Sequence, residues 1–177
     1  MQKVIVIGCP GSGKSTFSKA LHYVTGLPLY HLDMMKWNAD GTTVPKSTFM
    51  ERLHQALQKE SWIIDGNSSS TMELRMQFCD TVFFLDYPTD ICIAGIKSRK
   101  GKARTDIPCT TLEDEDHEFV EFIRNYNSVS RPAVMKLLHK YSYKRIIIFK
   151  NRSDANEFLS GITSQFAELE NRKLEVR

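Results

Sequence analysis

The sequence predicts an α/β domain, a parallel β-sheet covered by helices on both faces. Two observations lead there. Five short apolar runs recur along the chain, most of them without alternation, as strands buried on both faces read. Segments with helical apolar spacing separate them. One domain spanning 1–177 accommodates the pattern, because 177 residues bury a substantial core without help from disulfides or metals.

The first run, Val4-Ile5-Val6-Ile7, ends in a glycine-rich turn, and Ser15 to Leu21 continue as a helix. Leu29-Tyr30-His31-Leu32 is the second strand. The polar stretch Trp37 to Thr43 carries an Asp40-Gly41 turn signal and reads as a flap. Phe49, Leu53, Ala56 and Leu57 then share one helical face, and Trp62-Ile63-Ile64 is the third strand. Val82-Phe83-Phe84-Leu85 is the fourth. Lys100 to Asp114 is rich in Lys, Arg, Gly and Pro, and its length marks a functional loop, read as a lid over residues 100–114. Phe119, Ile123 and Tyr126 share a helical face. Pro132 ends that helix and opens another, whose face is Val134, Leu137, Leu138 and Tyr141. Ile146-Ile147-Ile148-Phe149 is the fifth strand, and Phe158, Ile162, Phe166 and Leu169 form the apolar face of the last helix.

Composition narrows the function classes. Hydrophobic residues make up 41% and charged residues 25%, the balance of a soluble globular protein. No apolar run is long enough to span a bilayer, and Met1-Gln2-Lys3-Val4 lacks the order of a signal peptide. The expected location is the cytoplasm, with no membrane partner. The four cysteines are scattered without a CxxC pair, so they read as free thiols. A net charge of +3 suits a polyanionic small-molecule ligand but does not by itself argue for nucleic acid. The five histidines show no metal-ligand spacing, and Trp37 and Trp62 read as packing residues.

The strongest signal is Gly8-Cys9-Pro10-Gly11-Ser12-Gly13-Lys14-Ser15, which matches G-x-x-x-x-G-K-[ST] at every fixed position, with Thr16 next. A buried strand leads in and a helix leads out, as a phosphate-binding loop requires. Gly8, Gly11 and Gly13 let backbone N–H groups converge on phosphates, with Pro10, Ser12 and Thr16 completing the loop. The helix N-terminus adds partial positive charge. Lys14 is expected to reach the β- and γ-phosphates of a nucleoside triphosphate, most simply ATP, and the Ser15 hydroxyl to ligate Mg²⁺. Cys9 lies inside this loop, so if exposed it would be open to alkylation or oxidation that blocks nucleotide entry.

Asp33 follows the second strand and Asp65 the third. Ligands collect outside the carboxyl ends of parallel strands, so both aspartates should face the same crevice as the phosphate loop. Asp65, before Gly66, reads as the acidic residue of the Mg²⁺ shell or as a turn cap, which Asp-Gly favours. Asp33 accepts a proton or hydrogen bond from a phosphate acceptor, or else caps a helix. Asp86, before Tyr87-Pro88, reads as structural. Lys97, Arg99, Lys100, Lys102 and Arg104 form a basic run into the lid, either a solvated face or a clamp on the transferring phosphate. Arg99 and Arg104 are the chosen clamp residues. Arg75 binds an anionic acceptor group or pairs with Glu73 or Asp80, and Arg124 and Arg131 are further arginines whose reach to the site the sequence leaves open.

The ordered set of phosphate loop, Tyr30-His31-Leu32-Asp33 with Trp37, and Trp62-Ile63-Ile64-Asp65-Gly66-Asn67 resembles a group of adenylate-kinase-like P-loop proteins labelled DNA topology modulation or FlaR-like proteins. Phe83-Phe84-Leu85-Asp86-Tyr87-Pro88, Arg75, Arg104-Thr105-Asp106 and Arg131-Pro132 continue the likeness up to about Phe149. The resemblance implies a P-loop NTPase three-layer sandwich, a five-stranded parallel sheet in the order 2-3-1-4-5 with a lid between the last two strands, and ATP and Mg²⁺ as ligands. Two departures stand out. Where the pattern has two arginines a turn apart before the lid, the first position is Gly95 and only Arg99 remains, with Lys97 placed to compensate. Gly66-Asn67-Ser68-Ser69 replaces the Gly-[Phe/Tyr]-Pro-Arg of adenylate kinases, which removes AMP as an assured acceptor.

The expected activity is therefore phosphotransfer from ATP to a nucleotide or other small hydroxylated acceptor. Lys14 binds the triphosphate, Ser15 and Asp65 place Mg²⁺, Asp33 orients or deprotonates the acceptor, and Arg99 and Arg104 close over the phosphate. The alternative is an ATP-binding regulator associated with DNA topology, supported only by the family label and the basic run, without a recognisable DNA-binding motif. A GTPase switch ranks last, because Lys150-Asn151-Arg152-Ser153-Asp154 has the wrong order for a guanine-reading Asn-Lys-x-Asp element.

Overall fold

Strand β1 (Lys3–Gly8) is buried over all but its first residue and forms the middle of the sheet in the computed structural model, which describes residues 1–102, 104–109 and 117–175. β3 (Trp62–Asp65) pairs along one side of it and β4 (Thr81–Leu85) along the other. β2 (Leu29–His31) and β5 (Arg145–Phe149) are the edges, giving the order β2-β3-β1-β4-β5 with every pair parallel. The expected sheet and its order are both present. Because all strands run one way, their carboxyl ends share one edge of the sheet.

Period-two alternation sorts the core into two layers. Ile5, Ile7, Ile64 and Phe84 point to one face, beneath α3 (Lys46–Leu57), α4 (Ser69–Phe78) and α7 (Arg131–Lys140). Val4, Val6, Ile63 and Phe83 point to the other, beneath α1 (Lys14–Thr25), α5 (Thr89–Arg99), α6 (His117–Val129) and α8 (Arg152–Glu175). On that second face Phe17, Phe83, Phe149 and Phe158 form an aromatic cluster with ring centroids 5.1–6.0 Å apart. The helical faces of α3, α6 and α7 sit where the periodicity places them, and Pro132 lies in the first turn of α7.

Two elements differ from the sequence expectation. Leu32 opens the short helix α2 (Leu32–Lys36) and does not extend β2. The strand has only β3 to pair with, and once His31 has paired with Asp65 the chain turns up out of the sheet. On the last helix, Phe158 and Ile162 pack on the core but Phe166 is 39% exposed, and Leu169 lies outside the described side chains. α8 has 24 residues, a span of about 36 Å, roughly twice that of the five-residue β5 it covers. The Trp37–Thr43 stretch is a small hairpin closed by an antiparallel bridge between those two residues. Part of the expected lid, residues 103 and 110–114, lies outside the described residues.

Two buried charges hold the loops at the ends of the strands. Asp86 accepts a bidentate pair from Arg131, at 2.7 and 2.8 Å, and a bond from Lys150 at 2.5 Å. Burial pushes its carboxyl up, but these cations overcome it and hold it below the usual range. This is the structural role expected for Asp86, and it occupies Arg131. Arg75 is fully buried. Its guanidinium donates to the Gly66 carbonyl (3.0 Å), the Ser68 carbonyl (3.0 Å) and the Thr71 hydroxyl (3.3 Å), so it clamps the β3–α4 turn from within. Burial lowers its pKa to about 10. Neither Glu73, which pairs with Lys140, nor Asp80, which receives the N–H groups of Gln2 and Lys3, is its partner. Arg75→Leu removes all three bonds and takes this donor from the Gly66 carbonyl, while the Ser68 carbonyl keeps the Thr71 N–H and hydroxyl; we expect a loss of about 2 kcal/mol, read as a lower urea midpoint with an unchanged m-value.

Candidate active site

The loop between β1 and α1 is shaped by an unusually close backbone contact. Gly11 has φ +80°, and a Cβ there would lie 2.0 Å from the carbonyl oxygen of Cys92 on α5. A Cβ on Gly95, one turn further along α5, would lie 2.0 Å from the carbonyl oxygen of Gly11. Glycine is needed on both sides. This explains the departure noted at Gly95: an arginine there would force loop and helix apart. The place is filled from elsewhere, since Nη2 of Arg152, at the start of α8, lies 3.1 Å from where that Cβ would be. Lys97 is exposed and does not line the site, so it is not the substitute.

Further contacts fix the loop. Ser12 N–H donates to the Cys9 carbonyl at 3.1 Å, and Gly8 N–H donates to Asn67 Oδ1 at 3.3 Å. The Asn67 amide in turn donates to the Tyr126 hydroxyl at 3.4 Å, joining the β1 and β3 ends to α6. Gly13, left-handed at φ 92°, caps α1 with no side-chain hydrogen bond, so the first amides of α1 keep their donors for a ligand. Lys14 Nζ donates to the Cys9 carbonyl at 3.0 Å. Burial lowers its pKa, while the charges of Asp65, Cys9 and Asp33 push it back up. Cys9 is only 3% exposed, and contact with Cys92 followed by burial raises its thiol, so it is not the exposed, reactive group considered above.

The loop opens onto a cavity of about 720 Å³, a size that holds a small molecule. Pro10 to Thr16 line it, together with Asp33, Asp65, Arg99 and Arg104, so these candidates converge. Gly8 lies behind the lining, and Arg75 and Arg124 do not reach it. Asp33 sits in the first turn of α2 without capping it. Burial raises its carboxyl above the usual range, Lys14 works against the rise and Asp65 adds to it. Asp65, the last residue of β3, accepts a 2.7 Å bond from His31 Nδ1 through Oδ1, as their direct register requires. Its Oδ2 is buried and has no hydrogen-bond partner among the described residues.

Three participants were not singled out as site residues by the sequence. Asp106 lies across the loop: it accepts from the Ser15 hydroxyl at 2.8 Å and from Arg104 at 3.0 and 3.2 Å. Burial opposes its ionisation, but Arg104 and Ser15 hold it well below the usual carboxylate range. The Arg104-Thr105-Asp106 triplet was its only signal. His31 orients Asp65, and Trp37, read as packing, is a half-buried wall of the cavity.

Solved structures share this arrangement of sheet and helices. Shikimate kinase from Acinetobacter baumannii in complex with shikimate is similar over 93% of this chain and 95% of its own, at 17% identity and a TM-score of 0.59. A presumed kinase from Chloroflexus aurantiacus is similar over 91% and 96%, at 19% identity and a TM-score of 0.55. The fold is that of the P-loop kinases. At these identities the likeness establishes the fold alone. No family model and no curated protein sequence matches the chain. Among the described residues, no helix is long and apolar enough to cross a membrane.

The glycine contact is open to test. Gly95→Ala places a methyl against the Gly11 carbonyl, costing about 2 kcal/mol and lowering Tm by about 4–8 °C, with triphosphate affinity falling alongside. Calorimetry with and without ATP measures both.

Proposed function

We propose that the protein is an ATP-dependent phosphotransferase acting on a small hydroxylated acceptor. The observation that carries this reading is the convergence of Lys14, Asp33, Asp65, Arg99 and Arg104 on one cavity at the mouth of the phosphate loop. The amides of the loop and Lys14 bind the β- and γ-phosphates. Asp33 accepts the proton of the acceptor hydroxyl, whose oxygen forms a bond to the γ-phosphorus as the bond to the β,γ-bridging oxygen breaks, and ADP leaves with that electron pair. A carboxylate whose pKa is raised is the stronger base. Arg99 and Arg104 offset charge on the transferring group, with Asp106 fixing Arg104 in place.

Mg²⁺ fits the carboxylate side of this site. Asp65 Oδ2 is a buried oxygen with no partner among the described residues, and Ser15, which gives its proton to Asp106, keeps its lone pairs for a cation. No group of three or more His, Cys, Asp or Glu that would hold a metal occurs among the described residues, so phosphate oxygens and water would supply the other ligands. When bound, the ion neutralises phosphate charge. The finer resemblance to the topology-modulation group rests on its motifs, and its label names no acceptor.

ADP release from Mg·ATP against a panel of hydroxylated acceptors tests the reading. Turnover that requires one acceptor and falls about a hundredfold or more in Lys14→Ala supports it. Acceptor-independent release, or ATP binding without release, points instead to the regulator alternative. Asp33→Asn separates chemistry from folding. Its raised pKa means that ionised Asp33 destabilises the fold as pH rises past the ordinary carboxylate range. The variant should therefore lose turnover by about a hundredfold or more yet melt higher at neutral pH. In the unsubstituted enzyme, the acidic limb of the kcat/KM profile should sit above the ordinary carboxylate pKa.

A further inference from the structure

Resting on that reading, we propose that Asp106 is a positioning residue for the metal: it accepts a hydrogen bond from the Ser15 hydroxyl so that the oxygen's lone pairs face the ion, and through the same carboxylate it ties the metal site to Arg104. Two carboxylates then divide the work. Asp65, on the edge of the sheet, offers the ion an oxygen. Asp106, on the lid arm of residues 104–109, turns the hydroxyl toward it.

A hydroxyl binds a cation only through its lone pairs, so its one proton has to be held elsewhere. The sheet edge does not hold it. Asp65 Oδ1 meets His31 Nδ1 at 2.7 Å, and Oδ2 has no partner among the described residues. Ser15 Oγ donates to Asp106 Oδ2 instead, at 2.8 Å. A hydrogen bond to an ionised acceptor is among the stronger ones, so the hydroxyl is oriented before an ion arrives. A bound cation would draw charge from the oxygen and make the O–H a better donor. Metal and Asp106 therefore reinforce each other at Ser15.

Asp106 is itself held in place. Arg104 donates to it through Nε at 3.2 Å and Nη2 at 3.0 Å. The hydroxyl of the neighbouring Thr105 accepts from Lys19 Nζ at 2.5 Å. Ser15 and Lys19 lie four residues apart on α1, on one face of the helix, so Thr105 and Asp106 dock on it at two adjacent points. Ile107 and Cys109, 4% and 8% exposed, anchor the chain that follows. The carboxylate that sets Ser15 is thus also the one that fixes the Arg104 guanidinium, which lines the cavity. Metal loading would tighten the docking of the arm, and by reciprocity a docked arm tightens metal binding. The ion and the arginine that offset charge on the transferring phosphate are then assembled together.

Mn²⁺ takes the same oxygen ligands as Mg²⁺, and its free-ion paramagnetic resonance signal falls on binding. The experiment titrates the full-length protein with Mn²⁺ in the presence of ADP, and measures metal-free ADP binding in EDTA by calorimetry. Asp106→Ala should weaken Mn²⁺ binding about tenfold or more while metal-free ADP binds no less tightly. In a Ser15→Ala background, which has no hydroxyl to orient, Asp106→Ala should cost little further. Amide exchange over residues 104–109 should slow more with Mg·ADP than with ADP alone. Four outcomes overturn the inference and leave the kinase reading standing. Unchanged Mn²⁺ affinity in Asp106→Ala removes the role outright. Loss of metal-free ADP affinity by the same factor makes Asp106 merely structural. An equal loss of Mn²⁺ affinity in the Ser15→Ala background makes it a direct ligand. Exchange at 104–109 that ignores the metal removes the coupling to the arm. Failure of the unsubstituted protein to bind Mn·ADP overturns the kinase reading and this inference with it.

Discussion

The site depends on two backbones meeting without side chains between them. Gly11 of the phosphate loop and Gly95 of α5 approach so closely that neither tolerates a methyl group. That contact sets the height of the loop over the sheet, and with it the position of the first turn of α1 and of Lys14. The contacts through Ser12, Cys9 and Asn67 then hold the loop in a shape the protein maintains by itself. Donors fixed in advance lose no reorganisation energy when a phosphate arrives, which is the main way a protein stabilises transferring charge.

What the sequence revealed follows the range over which each signal acts. The phosphate loop was legible because its chemistry is contained in nine consecutive residues, and the strands because burial on both faces leaves unbroken apolar runs. Leu32 was misread because an apolar residue after a strand carries no mark of where pairing stops; that was set by β3, which offers Asp65 as its last partner. Arg75 looked like an anion receptor because arginine is rarely buried. Nothing near it in sequence shows that the Gly66 and Ser68 carbonyls turn toward it. Asp106 lies 91 residues from the Ser15 it contacts, and Arg152 comes from the far end of the chain. Such long-range juxtapositions leave only faint local traces.

The aspartates show how the same residue type serves opposite ends at one edge of the sheet. Asp86 is held ionised by Arg131 and Lys150, so it stabilises the fold above the carboxylate range, and that contribution is lost as pH falls through its depressed pKa. Asp33 has its pKa raised, chiefly by burial, and its ionised form costs stability at neutral pH. A pocket built only for stability would pair or replace that carboxylate. The proposed role of Asp33 as proton acceptor fits that environment beside Lys14 and Asp65.

β2 gives the molecule an uneven rigidity. It is a three-residue edge strand with one neighbour, and it leads into a five-residue helix and a small hairpin that lie outside the sheet. β1, which carries the phosphate loop, is flanked on both sides and buried. Local opening therefore begins at the β2 margin long before it reaches the centre, and amide exchange there should be the faster by a wide interval.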